Sequence, residues 1–397
     1  MATGITQYDV LDPAVRWNPH PIYAKLRADA PVYKTRYYEM GAQSWLLTRY
    51  DDCEMLQSDP RFTKNYGRIN PATDYRNSPM AAINRHMLSV DPPDHTRLRG
   101  LVHKAFTPRI ISAMNDRVQE IADSLLDAVQ GRSDMDLTAD FAFPLPITVI
   151  AQLLGIPAED RNNFRDWSQT IVLGRNYDAV TRAAMAFIMY MNELFDQRRA
   201  APQDDLISNL IQVEEAGDKL AREELMSMIF LLLVAGHETT VNLIANGTLT
   251  LLTHPDQMQL LRDDPRLIRS AIEEMLRFES PVASTTNRFA LEDVEIRGQI
   301  IPKSDLVLAS LIGANRDPEV FENPDAFDIR RNPNRHMAFG YGLHYCLGAP
   351  LARMEGAIAI NTLLRRLPNL QLAVDPRDIE WNESLLLRSM KALPVRF

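Results

Sequence analysis

The chain has 397 residues, 46% of them hydrophobic, with 43 Lys and Arg against 52 Asp and Glu and a net charge of −9. A globally acidic chain lacks the positive charge that phosphate backbones demand, so no nucleic-acid partner is expected. Two cysteines in this length rule against a disulfide framework and fit a reducing compartment.

The opening stretch, MATGITQYDVLDPAVRWNPHP, lacks a basic segment followed by an apolar core. No secretory signal or membrane anchor is read there, and a soluble cytoplasmic protein is expected. Two short strand signals follow, PVYKTR (Pro31–Arg36) and SWLLTR (Ser44–Arg49). Next, DPPDHTRLRGLVHKAF (Asp91–Phe106) sets His95 and Arg99 at i and i+4 on one helical face. Helices are predicted over Arg109–Val129 and Ala183–Ala200, where apolar residues recur every three or four positions. A longer one, Leu220–Leu252, is apolar all round in its middle, as a helix buried through the centre of a large domain would be. Its apolar run Met226–Gly236 is well short of the ~20 residues needed to span a bilayer. Asp264–Glu279 and Ala349–Leu367 are further helices; VEIRG (Val294–Gly298) and LVLAS (Leu306–Ser310) are further strands. The order predicts one mainly α domain over residues 1–397, with a small β part split between its ends. Proline-rich punctuation such as DPEVFENPDAFDIRRNPN reads as ordered meander and not as a linker.

The most informative stretch is FGYGLHYCLG, Phe339 to Gly348. Its Cys346 has three readings. A buried structural cysteine is the commonest fate of a free thiol. A nucleophile needs a base and an orienting group, and beyond nearby His344 no thiol-enzyme signature is present. A lone thiolate cannot close a tetrahedral zinc site, but it can be the single axial ligand of a heme iron. The surroundings favour the last reading. Gly340, Gly342 and Gly348 let the backbone turn and approach a flat ligand closely. A helix starting near Leu347 would aim N–H groups at the sulfur and stabilise the thiolate. Phe339 would pack near the ring face. A phosphate loop is excluded, because the Walker lysine and the GxGxxG spacing are missing.

FGYGLHYCLG resembles the heme-binding signature of the cytochrome P-450 family, FGxGxHxCxG, with every fixed position matched. The resemblance implies the cytochrome P-450 fold, with heme b (iron protoporphyrin IX) lying between the long central helix and the helix after the cysteine loop. Three further anchors occur in family order. AGHETT (Ala235–Thr240) lies mid-way along the central helix; it is no HExxH zinc motif, because Val241 stands four residues after His237. By resemblance, Thr239 is the oxygen-groove threonine and Glu238 the acid that relays protons to it, since splitting an O–O bond needs two protons at the outer oxygen. Ala235 and Gly236 are small and leave room above the iron. In EEMLR, Glu274 and Arg277 form a structural pair that braces the meander, with Arg330 or Arg331 completing it. His95, Arg99, Arg288 and His344 match the contacts to the heme propionates.

The family likeness implies a heme-thiolate monooxygenase that uses O2 to hydroxylate or epoxidise a lipophilic small molecule: a fatty acid, terpenoid, steroid or macrolide. No flavin or iron–sulfur segment is read in the chain, so a separate ferredoxin-type electron donor with its reductase is expected. Its dock would be a basic patch of Arg99, Lys104, Arg109 and Arg353. Pocket candidates by the same resemblance are Met87, Leu88, Ile171, Leu173, Leu231, Val234, Val282, Ala283, Thr285 and Leu386, with Arg68, Arg76 and Arg85 near an entrance. Two alternatives stand beside this reading, a peroxide-driven peroxygenase of the same fold and a heme protein that binds ligand without turnover. The Glu238–Thr239 pair counts against both.

Overall fold

The structure, a computed structural model, describes residues 10, 12–37, 42–71, 83, 85–173, 176–215 and 220–397. Helices α1 (His20–Asp29) and α2 (Tyr50–Ser58) flank strands β1 (Val32–Tyr37) and β2 (Ala42–Leu47). Strand β3 (Phe62–Thr63) leads on to α3 (Asp94–Ala105), α4 (Pro108–Ala113) and α5 (Asn115–Asp127). After β4 (Asp134–Asp136) come α6 (Pro144–Leu154), α7 (Arg161–Leu173), α8 (Tyr177–Ala200), α9 (Leu206–Glu215) and α10 (Arg222–Thr253). Helices α11 (Pro255–Asp263) and α12 (Ile268–Phe278) precede β5 (Arg288–Ala290), β6 (Val294–Ile296), β7 (Gln299–Ile301) and β8 (Leu306–Ala309). The chain closes with α13 (Leu311–Ala314), α14 (Ala349–Arg366), β9 (Gln371–Leu372) and β10 (Pro394–Arg396).

The mainly α architecture with a small, split β part is the one the sequence predicts. The main sheet has the order β1-β2-β8-β5-β3 and so joins strands from both ends of the chain. Strands β2 and β8 pair in parallel with Trp45 opposite Val307; the other pairings in this sheet are antiparallel. The predicted helix Arg109–Val129 is two helices. The chain turns tightly at Met114, whose N–H reaches Ile111 O, and then restarts. Periodicity continues across the turn, which is why the sequence reads as one helix.

Helix α10 runs 32 residues, about 48 Å at 1.5 Å per residue. It is long and apolar enough to cross a membrane by length and composition, yet 72% of its most apolar window is buried inside the protein. That is the environment of a core helix. It packs against α6 on one side and α14 on the other. A Cβ on Gly356 of α14 would meet Leu243 of α10 at 2.9 Å, so the small residue sets their close approach.

Candidate active site

The cysteine loop is a tight turn of hydrogen bonds ahead of α14. Cys346 N–H donates to Phe339 O at 2.9 Å and Tyr345 N–H to Gly342 O at 3.0 Å. Gly340 and Gly342 both hold positive φ, 73° and 70°. Gly348 does not need its lack of a side chain in this way. Its φ is −80°, and a Cβ there would sit 3.9 Å from Cys346 Sγ, an ordinary contact. Cys346 is exposed to solvent. Burial raises the Cys346 thiol; the N–H groups of Gly348 and Ala349 and the charges of Arg99 and Arg353 oppose that rise in part by favouring the thiolate. This donor set suits a thiolate ligand.

Arg99 of α3 donates from Nη2 to Tyr345 O at 2.7 Å, tying that helix to the residue before the cysteine. One turn earlier lies His95, buried, with neither ring nitrogen partnered. Its ring centroid is 4.2 Å from that of His344. Arg288 of β5 is also buried; Nη2 donates to Gln57 O at 3.2 Å, while Nε has no partner. Burial, together with the charges of Lys64, His95, Arg288 and Arg99, drives the His344 pKa down to about 2. Donors therefore crowd one place and acceptors are scarce. A group carrying carboxylates fits that imbalance, as the propionates of heme do. Among the described residues no three His, Cys, Asp or Glu side chains converge as metal ligands, so the ring would supply the rest of the iron's ligands around Cys346.

Lys64, which the sequence reading left out, belongs to this cluster. It follows β3 directly, and no local motif marks it. Only the pairing of β3 with β5, Thr63 opposite Phe289, brings it beside Arg288.

On α10, the Thr239 hydroxyl donates to Ala235 O at 2.9 Å, one turn back. Ala235 is exposed although it lies mid-way along a core helix. Burial raises the Glu238 carboxyl. His237 turns the other way. Its Nδ1 lies 2.8 Å from Leu233 O, its ring meets Phe143 edge-on at 5.8 Å, and burial keeps it neutral. His237 Nε2 is 3.4 Å from Glu238 Oε2 without hydrogen-bond geometry. Gly236 corrects an expectation: a Cβ there would come within 3.1 Å of Ile150, so its smallness serves packing against α6.

Glu274 and Arg277 are both fully buried and share bonds of 2.7 and 2.8 Å. Arg331 completes the network, reaching both Glu274 oxygens at 3.1 and 3.2 Å; Arg330 stays exposed. Arg353 is not a free docking cation, because Glu273 holds it. Lys104 and Arg109 remain exposed.

The pocket candidates fall in two groups. Met87, Leu88, Ile171, Leu231 and Val234 share one apolar cluster. Val282 and Ala283 meet the 385–387 segment: Ala283 N–H donates to Leu386 O at 2.8 Å, and Val282 pairs with Leu387. Thr285 uses its hydroxyl to accept from Ala309 N–H at 3.0 Å. The side chain of Leu173, and Arg76, lie outside the described residues. Arg68 pairs with Asp91 at 3.4 Å, and Arg85 is exposed, its carbonyl accepting from Ser227.

Comparison with known proteins agrees with this geometry. The family model described as Cytochrome P450 matches residues 148–393. This chain is a cytochrome P450. It is 46% identical to Cytochrome P450 107B1 of Saccharopolyspora erythraea, over all of this chain and 99% of that one. It is 45% identical to the Vitamin D(3) 25-hydroxylase of Pseudonocardia autotrophica, covering 99% and 97%. A crystal structure of the myxobacterial cytochrome P450 CYP267B1 in complex with myristic acid superposes with a TM-score of 0.91, at 48% identity and 98% coverage of both chains. The P450 fold, heme b as cofactor and monooxygenase activity follow from membership of the family.

Proposed function

We propose that this P450 hydroxylates or epoxidises a lipophilic small molecule in the range of fatty acids, terpenoids, steroids and macrolides. It takes two electrons from a separate ferredoxin-type donor and its reductase. Its relatives support that range: one is a vitamin D(3) hydroxylase and one is known in complex with a fatty acid. The apolar cluster of Met87, Leu88, Ile171, Leu231 and Val234 would receive such a substrate and exclude water from it. The chain would work as a single catalytic domain in the cytoplasm.

Bound to Cys346, heme supplies the oxidising chemistry that thiolate ligation favours. The protein's own residues hold it and move protons. Cys346 would ligate the iron, with the N–H groups of Gly348 and Ala349 stabilising its negative charge. His95, Arg99, Arg288 and His344 would anchor the propionates. Glu238 would pass protons toward the Thr239 hydroxyl; burial raises its carboxyl above the usual range, which favours the proton-carrying form a relay needs. Lys104 and Arg109 would contribute to the electron donor's docking face.

The observation that carries this reading is the placement of Glu238 and Thr239, one turn beyond an exposed Ala235, just after the apolar run Met226–Val234 of a core helix. The test is the fraction of consumed electrons that ends in product, measured for Glu238→Ala and Thr239→Ala. Both should fall sharply, with the electrons diverted to peroxide. Unchanged coupling in both would overturn the relay and favour a peroxide-driven enzyme.

A further inference from the structure

Lys64 is 7% exposed, and burying an ammonium group without an anion is expensive. Its Nζ contacts the Thr286 hydroxyl. Its charge reaches His86, His95 and His344, and Arg288 acts on it in turn. Among the described residues, Asp91 is the carboxylate that offsets this group. Asp91 is already engaged, however. Its oxygens accept from the Thr63 hydroxyl, from Lys64 N–H at 3.0 Å and from Arg68 at 3.4 Å. The Lys64 ammonium thus has one neutral hydroxyl contact and sits among cationic or protonatable side chains. Packing alone gives no reason for a charge at this position, since an apolar chain of similar length would be buried at lower cost.

We propose that Lys64 is an additional propionate-binding residue, with the Thr286 hydroxyl aiming its ammonium at a heme carboxylate. The proposal rests on the heme-thiolate reading of Cys346. An ammonium has three donors; one faces Thr286, and two are left for a carboxylate. A propionate beside Lys64 would relieve the repulsion within the cluster, because its negative charge compensates Arg288 as well.

The test compares the wild-type holoenzyme with Lys64→Met and Lys64→Arg. Three quantities are read: heme transfer to excess apomyoglobin, the heme reduction potential, and the carbon monoxide spectrum of the reduced protein. Lys64→Met should lose heme roughly tenfold to a hundredfold faster, as expected for one lost hydrogen bond to a charged group. Its potential should move to a lower value, because a positive charge near the propionates is gone. Lys64→Arg should hold the potential near that of wild type. If Lys64→Met keeps both the wild-type rate and potential, the proposal is overturned. It is also overturned if Met and Arg shift both quantities alike, which would mark a packing role. In either case a retained red-shifted carbon monoxide band leaves the heme-thiolate reading standing. A wild-type protein without that band would overturn the reading itself, and the proposal with it.

Discussion

Arg353, in the first turns of α14, is held by Glu273 of α12 through two hydrogen bonds of 2.7 and 2.9 Å. His336 approaches the same carboxylate at 3.0 Å. Burial alone would raise the Glu273 carboxyl, but the bonds from Arg353 and His336 bring it down to about 2. The Arg353 guanidinium in turn lies 4.4 Å from the Phe339 ring centroid and 3.3 Å from Tyr345 Oη. One carboxylate therefore steadies both ends of the cysteine loop. Glu273→Gln is expected to destabilise the fold by about 1–3 kcal/mol, the cost of a half-buried guanidinium losing its charged partner. The loop should suffer first. The carbon monoxide complex of the variant should convert from its thiolate to its non-thiolate spectrum at a lower urea concentration than wild type. Unchanged conversion would show that the loop does not depend on this link.

The Glu274–Arg277–Arg331 network makes a sharper contrast. Glu274→Gln leaves the fully buried Arg277 without a counter-charge and should cost about 3–5 kcal/mol. Arg330→Ala, on an exposed side chain next to Arg331, should change stability by less than about 0.5 kcal/mol. Urea unfolding of the two variants tests the assignment. Equal effects would contradict it.

Glu355 of α14 is fully buried, and neither carboxyl oxygen has a partner. Burial raises its pKa well above the ordinary 4.5, so the folded protein binds a proton that the unfolded chain releases. Its contribution to stability is therefore intact below about pH 4.5 and is lost as pH rises toward the folded-state value. Glu355→Gln should unfold at a higher temperature than wild type at pH 8, and the gap should close on acidification. A gap that widens in acid would mean that the carboxylate is the stabilised form.

Gly342 combines a φ of 70° with a Cβ position 3.2 Å from Gln57 O. Gly342→Ala places a side chain where both backbone and neighbour resist it, for about 1–2 kcal/mol. Gly348→Ala meets neither obstacle. Heme content after purification should fall in the first variant and hold in the second, which would separate backbone need from mere proximity to the sulfur.

Much of this protein was legible in the sequence because the signals are local. Ten residues from Phe339 to Gly348 specify the cysteine loop, since its glycines and its thiol act through their immediate neighbours. The central helix announces itself by the apolar run Met226–Gly236, and AGHETT by the polar residues that close it. Tertiary structure alone decided which side chains meet across long separations. Lys64 reaches Thr286 only because β3 pairs with β5. Arg353 is neutralised by a residue 80 positions away, and Arg331 rather than Arg330 reaches Glu274, in a turn that Arg331 N–H closes onto Asp328 O. Local periodicity records which face of an element is buried. It carries no record of the partner that buries it, and the charge of a site depends on that partner.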